Sequence, residues 1–125
     1  MELTKTFAPP RIPERVPFFD YREAFCRNRG LVNEFEQQKL RNTTVAIPGM
    51  GGVGASHAIA LARSGVGGFI LADYDAYELA NFNRQMSATL ERIGKSKVDC
   101  VCEDIRAINP EARIRILREP VTPGN

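Results

Sequence analysis

The chain has 125 residues, of which 43% are hydrophobic, and a formal net charge of +2; this length suits one domain or a piece of one, and the nearly balanced charge predicts neither a nucleic-acid partner nor binding to a membrane surface. No apolar run is long enough to cross a membrane, and the N-terminus lacks the apolar core of a secretory signal. The three cysteines, Cys26, Cys100 and Cys102, show no Cys-x-x-Cys spacing, so we expect no disulfide framework or zinc site and a cytoplasmic protein.

The N-terminal part of the chain is expected to be an extended arm followed by two helices. Residues 1–20 contain four of the eight prolines, which favours an extended or disordered segment. A first helix is predicted over 21–29, where Gly30 stops it. Asn33 is predicted to cap a second helix, with Glu36 three residues later in the position of a capping box.

A glycine-rich loop between a strand and a helix is the most informative pattern in the chain. The apolar run 43–47 predicts the first strand, and the sequence Gly-Met-Gly-Gly-Val-Gly over 49–54 follows it, ahead of an alanine-rich helix. In such a loop Gly49 permits the tight turn, Gly51 lets backbone N–H groups approach a phosphate, and Gly54 lets the helix pack close to the sheet. The helix N-terminus adds a partial positive charge, so the pattern predicts a nucleotide-binding βαβ unit.

Two further strands and a helix extend this unit. The continuous apolar run 69–73 predicts a buried parallel strand that ends in Asp73, at the distance from the loop expected of a ribose-binding carboxylate. Ser96 and Asp99 are predicted to form a capping box on the next helix, and the partial alternation of 113–118 predicts a third strand. The predicted fold class is therefore α/β, a Rossmann-like doubly wound parallel sheet with strand order 3-2-1, of which only the β-α-β-α-β half is present.

The predicted first strand is apolar at nearly every position, which is typical of the centre of a sheet. Nothing after residue 125 is present to pair with its free edge, so we expect a truncated domain or a partner that covers this edge. The predicted domains are an arm over 1–20, N-terminal helices over 21–42, a truncated nucleotide-binding domain over 43–118 and a tail over 119–125.

The long connection after Asp73 carries cations that favour a triphosphate over a dinucleotide. Arg84 can give two forked hydrogen bonds to phosphate oxygens, and Lys97 adds a compact positive charge. Asn81 shares a face with Arg84 if this stretch forms a helical turn. Because a dinucleotide-binding dehydrogenase has no need of cations just past the ribose acid, the pattern favours ATP.

The order of these motifs resembles the ubiquitin-activating-enzyme-like adenylyltransferases, the family of ThiF, MoeB and HesA. The resemblance covers about residues 22–118 and depends on five motifs in matching order and spacing. These motifs are the glycine loop 49–54, Asp73-Tyr-Asp75, Ala80-Asn-Phe-Asn-Arg-Gln85, Gly94-Lys-Ser-Lys97 and Ile108-Asn-Pro110.

This resemblance implies an activity and the roles of the matching residues. The activity is ATP-dependent adenylylation of the C-terminal carboxylate of a ubiquitin-like or sulfur-carrier protein, which gives an acyl-adenylate and pyrophosphate. Asp73 would hold the ribose hydroxyls, and Arg84 and Lys97 would be catalytic by stabilising charge during attack at the α-phosphate. The nucleotide-binding residues implied are Gly49, Gly51, Gly52, Gly54, Asp73, Asn81, Arg84 and Lys97.

The resemblance also implies elements outside this sequence. The magnesium-binding aspartate of the family, and the cysteine that accepts the acyl group in many members, would lie beyond residue 125, so no metal ligand is expected within the chain and this fragment alone is expected to be inactive. A homodimer is implied, in which Arg27 or Arg29 reaches the site of the neighbouring subunit.

Two other interpretations of the residues stay open. An NAD(P)- or FAD-binding oxidoreductase domain would share the glycine loop and Asp73. A non-catalytic, truncated binding module would explain the absent aspartate and the unpaired strand edge. Among the remaining reactive side chains, Cys102 is interpreted as a core residue and His57 as a helix-surface residue.

Overall fold

A parallel sheet of three strands lies at the centre of the computed structural model, which describes residues 18–125. The strands are β1 (Thr44–Pro48), β2 (Gly68–Ala72) and β3 (Arg113–Leu117), in the order β1-β2-β3. The predicted α/β class and strand order are therefore confirmed. The predicted arm falls almost entirely outside the described residues, which begin at Phe18.

The first strand occupies one edge of this sheet. Within the described residues β1 pairs only with β2, from Thr44 opposite Gly68 to Pro48 opposite Ala72. Pro48 is the last residue of the strand, as predicted, where its missing N–H removes no internal ladder bond. The far edge of β1 therefore carries the unpaired backbone groups that the sequence led us to expect.

Two helices pack against each other and against the sheet. They are α3 (Gly52–Arg63), which lies between β1 and β2 in the chain, and α4 (Lys97–Ile108), which lies between β2 and β3. The predicted apolar face of α4 is confirmed, because Val98, Val101 and Ile105 are fully buried. The core is formed by Ile47, Met50, Ala55, Ala58, Ala62, Val66, Phe69, Leu71, Val98, Val101 and Ile105.

Only one half of the predicted capping box on α4 is present. The Ser96 hydroxyl accepts a hydrogen bond from the Asp99 N–H at 3.4 Å, as predicted. The Asp99 carboxylate does not return to the cap but accepts from Arg118 at 2.6 and 3.1 Å, because a charged guanidinium is a stronger donor than a backbone amide. Its hydrogen bonds with Arg118 lower the pKa of Asp99.

The first of the two N-terminal helices is shorter than predicted. The structure has α1 (Tyr21–Ala24), a 3-10 turn (Cys26–Asn28) and α2 (Glu34–Asn42). A single helix over 21–29 is wrong, since the chain leaves helical geometry at Phe25, with φ −112° and ψ 16°.

Contacts with distant residues accompany this break. The ring centroids of Tyr21 and Phe25 lie 4.7 Å apart and both side chains are buried, as residues four apart on one helical face can be. The Tyr21 hydroxyl donates to the carbonyl oxygen of Gly65, just after α3. Past the break, the side-chain NH₂ group of Asn28 donates to Gln37 at 2.9 Å and to the Ser64 carbonyl oxygen at 3.0 Å, which holds this part of the chain outside a continued helix. The second predicted cap is confirmed, since Asn33 and Glu36 form both halves of the capping box at 2.8 Å.

The connection between β2 and α4 is folded into short turns. It contains two 3-10 turns, Leu79–Asn81 and Leu90–Arg92, and its two ends are joined by an isolated antiparallel bridge between Ala76 and Ser96. Among the described residues, no helix is both long enough and apolar enough to cross a membrane.

Candidate functional site

The glycine loop adopts a turn that only glycine permits at two of its positions. Gly49 has φ +91°, a conformation that other residues rarely adopt. A Cβ atom placed on Gly54 would lie 1.7 Å from the carbonyl oxygen of Gly49, so a side chain there cannot fit. The Gly49 N–H donates to the carbonyl oxygen of Ala72 at 2.6 Å, which fixes the loop to the end of β2.

The loop presents a run of unused hydrogen-bond donors. Gly51 is the N-cap of α3 and supplies no side chain, and the first turn of the helix contains no acidic residue. Within residues 18–125, no oxygen accepts from the N–H groups of residues 51–54. Because these groups lie at the positive end of the helix dipole, they form a cradle for an anion such as phosphate.

Asp73 joins this loop to the segment after β2. One carboxylate oxygen, Oδ2, accepts from the Met50 N–H at 2.7 Å, and the other, Oδ1, accepts from the Asp75 N–H at 2.7 Å. A carboxylate offers about four lone-pair positions, so both oxygens can still accept a hydroxyl donor. Asp73 thus lies beside the anion cradle with the capacity to bind ribose hydroxyls.

The connecting segment covers the loop with Arg84 and Gln85. A Cβ atom on Gly52 would lie 3.4 Å from Cγ of Arg84, and one on Gly51 would lie 3.8 Å from Nε2 of Gln85. The guanidinium of Arg84 is exposed, and its Nη1 donates to the Ala80 carbonyl oxygen at 3.2 Å and to Oδ1 of Asn83 at 3.0 Å. Its other N–H donors remain available to a ligand on the loop.

Lys97 begins α4 and faces the same segment through Asp75. Its N–H donates to the Asp75 carbonyl oxygen at 3.0 Å, and its Nζ lies 4.0 Å from Oδ2 of Asp75. The side chain is only 9% exposed, so this charge is held in a fixed place. Asp75 in turn donates its N–H to Asp73, which links Lys97 to the loop in one continuous chain of contacts.

Asn81 serves the fold of the connecting segment. Its side chain is buried, and its Oδ1 accepts from the Glu78 N–H at 2.8 Å across the 3-10 turn. Its carbonyl oxygen accepts from the Gln85 N–H at 2.9 Å, next to Arg84. The contact of Asn81 with phosphate stays a prediction. The side-chain NH₂ group of Asn81 is available for this contact.

An ion pair between Arg92 and Asp104 holds the connecting segment against α4. Arg92 donates to both carboxylate oxygens of Asp104, at 2.6 and 2.8 Å, and to the carbonyl oxygen of Ser87 at 3.1 Å. The Ser87 hydroxyl donates to Asp104 at 2.6 Å. Burial opposes ionisation of Asp104, but the hydrogen bonds from Arg92 and Ser87 outweigh it and lower the pKa of Asp104.

Sequence reasoning missed several residues of this site. Met50 contributes only a backbone N–H, which leaves no signal in the sequence. Gln85 belongs to the motif 80–85. Its position beside Gly51 could not be predicted, because it depends on the turn that precedes it. Asp75 was signalled by the Asp-x-Asp spacing, although its partner Lys97 is 22 positions away in the sequence.

Cys100, Cys102 and His57 take no part in the contacts described above. Cys100 and Cys102 are both buried, and burial raises the pKa of each thiol, which disfavours the reactive thiolate. Cys102 is a core residue, as interpreted from the sequence. His57 is exposed on α3, as expected of a helix-surface residue.

The described residues do not fit a metal centre. Among residues 18–125 no group of three His, Cys, Asp or Glu side chains could hold a metal ion. The carboxylates nearest the loop are engaged, Asp73 with two N–H groups and Asp75 with Lys97. No step of the proposed adenylylation is assigned to magnesium.

Comparison with known proteins supports a nucleotide site. The chain is 44% identical over 94 residues to the tRNA threonylcarbamoyladenosine dehydratase of Bacillus subtilis, and 46% identical over 85 residues to ubiquitin-like modifier-activating enzyme 5 of Culex quinquefasciatus. These matches cover 75% and 68% of this chain, but only 37% and 21% of the relatives. The chain therefore spans well under half of the length of either relative.

Solved structures with a similar fold contain AMP or ATP. The Escherichia coli tRNA N6-threonylcarbamoyladenosine dehydratase in complex with AMP matches with a TM-score of 0.81 and 37% identity, over 89% of this chain and 46% of that one. The same enzyme in complex with ATP matches with a TM-score of 0.80 and 38% identity, over 83% of this chain and 43% of that one. The sequence model of the ThiF family matches residues 25–125, which include every residue of the site described above. This chain belongs to the ThiF family.

Proposed function

We propose that this chain is the nucleotide-binding part of an enzyme that uses ATP to adenylylate a carboxylate. The observation that carries the proposal is the chain of contacts from the glycine loop through Asp73 and Asp75 to Lys97, with Arg84 over the loop. In this proposal Asp73 accepts the ribose hydroxyls, the loop binds the phosphates, and Arg84 and Lys97 supply the positive charges. The AMP and ATP complexes of the Escherichia coli relative support a nucleotide in this fold.

The reaction transfers the adenylyl group from ATP to the substrate carboxylate. A carboxylate oxygen of the substrate attacks the α-phosphorus, the bond from this phosphorus to the oxygen that bridges to the β-phosphate breaks, and pyrophosphate leaves with its electron pair. The product is an acyl-adenylate. Arg84 and Lys97 stabilise the charge that develops on the phosphate oxygens, and the N–H groups of residues 51–54 bind the phosphates.

The first candidate substrate is the C-terminal carboxylate of a ubiquitin-like or sulfur-carrier protein. The identity of 46% to ubiquitin-like modifier-activating enzyme 5 supports this substrate class. A homodimer, with Arg27 or Arg29 near the site of the second subunit, belongs to the same proposal, and both arginines are exposed. Bound Mg²⁺ with a ligand outside this chain, and a cytoplasmic location, are also part of it.

A second candidate is the threonylcarbamoyl group of a tRNA, and the dehydratase relatives of Bacillus subtilis and Escherichia coli favour it. This group carries the carboxylate of threonine, so the same adenylylation applies. Internal attack on the acyl carbon would then release AMP, and the substrate would have lost the elements of water. From the net charge we predicted that the chain has no nucleic-acid partner. A tRNA substrate would contradict this prediction.

Calorimetric titration of the full-length protein with ATP and with NAD tests the nucleotide assignment. ATP is expected to bind more tightly, and Arg84→Ala should weaken ATP binding by about 1.5–3 kcal/mol, the usual loss for a hydrogen bond to a charged group. Arg115→Ala removes an exposed arginine on β3 and is the matched control. Tighter binding of NAD, or equal ATP affinity in Arg84→Ala and Arg115→Ala, would contradict the proposal.

Isotope exchange between pyrophosphate and ATP separates the two substrates. Exchange requires an acyl-adenylate, so it should depend on the added carboxylate. Exchange that a ubiquitin-like protein supports, and a threonylcarbamoylated tRNA does not, selects the first candidate, and the reverse pattern selects the second.

A further inference from the structure

The ammonium group of Lys97 has two neighbours that can hold it in place. One is the Asp75 carboxylate, at 4.0 Å from Nζ, which is the outer limit of an ion pair, and this carboxylate is 59% exposed. The other is the face of the Tyr77 ring, whose centroid lies 5.9 Å from Nζ. Both distances lie at the outer limit of their kind of contact, about 6 Å for a cation–π contact, so the ring and the exposed carboxylate share the placement of the ammonium.

The Tyr77 ring is fixed relative to the start of α4. The side chain is 1% exposed. Its N–H donates to the Lys95 carbonyl oxygen at 3.0 Å, and its carbonyl oxygen accepts from the Gly94 N–H at 2.9 Å. These two bonds join Tyr77 to residues that precede Lys97 by two and three positions, so the ring and the lysine move as one unit.

The hydroxyl of Tyr77 contributes nothing visible to this arrangement. It is buried, and no residue of the described chain makes a hydrogen bond with it. The neighbouring Ser87 hydroxyl donates to Asp104 instead. Burial raises the pKa of Tyr77 to about 12, so the phenol stays neutral. What this position supplies to its surroundings is the aromatic ring.

We propose that Tyr77 is a positioning residue that holds Lys97 at the phosphate site through the face of its ring. This inference rests on the proposed function, in which Lys97 contacts the phosphates of ATP. A lysine side chain loses considerable rotamer freedom when it is ordered, and a ring that orders it in advance lowers this cost at the moment of binding. A ring face also leaves the three N–H donors of the ammonium free for phosphate oxygens.

The test compares ring removal with hydroxyl removal, with and without the lysine charge. In the full-length protein, Tyr77→Phe should bind ATP within about twofold of the natural protein, since the ring remains. Tyr77→Leu should bind ATP about two- to fivefold more weakly, the usual size of a modest cation–π contact. In a Lys97→Met background, Tyr77→Leu should cause no further loss, because there is no ammonium to position.

Two outcomes would overturn the inference. Either Tyr77→Leu weakens ATP binding equally in the presence and absence of Lys97, which would show a purely structural role, or Tyr77→Phe is as weak as Tyr77→Leu. If the leucine variant does not fold, phenylalanines with increasing ring fluorination at position 77 replace it. They keep the shape of the ring and weaken its negative face, so ATP affinity should fall step by step, and a flat series would refute the proposal.

These outcomes are distinct from failure of the proposed function itself. If the natural protein does not bind ATP, or if Lys97→Met binds ATP as well as the natural protein does, the role of Lys97 is wrong. If Lys97→Met weakens binding and the Tyr77 variants show no coupling to it, only the role of Tyr77 is wrong.

Discussion

At the scale of single residues, Asp73 has a structural task in addition to the ligand-binding task that we propose for it. Its two oxygens hold the Met50 and Asp75 N–H groups at 2.7 Å each, so the carboxylate fixes the glycine loop before any nucleotide is bound. The sequence predicted the ligand task from the distance between this acid and the glycines. The structural task could not be predicted, because both of its partners are backbone groups.

The double task of Asp73 gives a graded expectation for its removal. Asp73→Ala should weaken ATP binding most, since it loses the ribose acceptor and loosens the loop, and it should weaken inorganic pyrophosphate binding less, since only the loop effect applies. Titration calorimetry with both ligands on the full-length protein measures the two losses. Equal losses would mean that Asp73 serves the loop alone, and an undiminished affinity for pyrophosphate would mean that the loop keeps its shape without the carboxylate.

At the scale of elements, the connection between β2 and α4 carries Arg84 and leads directly into Lys97, the first residue of α4. Its ends are bridged by Ala76 and Ser96, and Arg92 ties its middle to Asp104 of α4. The strands and long helices were predictable from apolar periodicity and glycine spacing. The path of this connection was not, because it depends on contacts between side chains that lie far apart in the sequence.

The same reason explains the two errors at helix ends. The first helix ends before Asn28, whose side chain is held by Gln37 and Ser64, and Asp99 leaves the cap of α4 because Arg118 attracts it. Both local patterns were read correctly as helix signals. In each case a tertiary contact outweighed the local preference, and the contact involves a residue that no local pattern identifies.

Removal of Arg92 should destabilise the fold and reduce its sensitivity to acid. Its side chain is 18% exposed and that of Asp104 is 29% exposed, so Arg92→Met leaves a largely buried carboxylate without its main partner, at a cost of about 1–3 kcal/mol. The folded pKa of Asp104 is depressed, so the stability from this pair is present above the unfolded pKa and is lost as the pH falls through the folded pKa.

Thermal unfolding of the natural protein and of Arg92→Met at neutral pH and near pH 3 checks both effects. The difference in melting temperature should be large at neutral pH and should shrink in acid. Arg118→Ala breaks an exposed pair on the same helix and serves as the control, with little expected change. A difference that stays constant with pH would show that Arg92 contributes through packing and not through its charge.

At the scale of the whole molecule, one edge of β1 pairs with no other strand of the described residues. The edge and the adjoining side of α3 form an apolar groove beside the glycine loop, lined by Val45, Ile47, Val53 and Leu61. Unpaired strand groups beside apolar side chains are a template for association. The relatives are more than twice as long as the stretch that this chain matches.

A polypeptide of these 125 residues alone is therefore expected to self-associate or to unfold easily. Several unmet backbone hydrogen bonds, at about 1 kcal/mol each, are comparable with the whole stability of a small domain. Light scattering and thermal unfolding of this polypeptide measure the effect. A monomer with a sharp transition at high temperature would contradict the prediction, and pyrophosphate exchange by this polypeptide would show that it needs no further residue for catalysis.

The idle donors of the glycine loop also bear on how long the protein survives in a cell. Residues 51–54 offer N–H groups that no oxygen of the described chain accepts, so a nucleotide that binds them stabilises the folded state and not the unfolded one. A ligand at 100 times its dissociation constant adds about 2.7 kcal/mol to the stability of its protein. Proteases act on the unfolded or locally opened chain, so under the proposed function the abundance of this protein is tied to the supply of nucleotide. A shortage of nucleotide would then reduce the number of folded molecules.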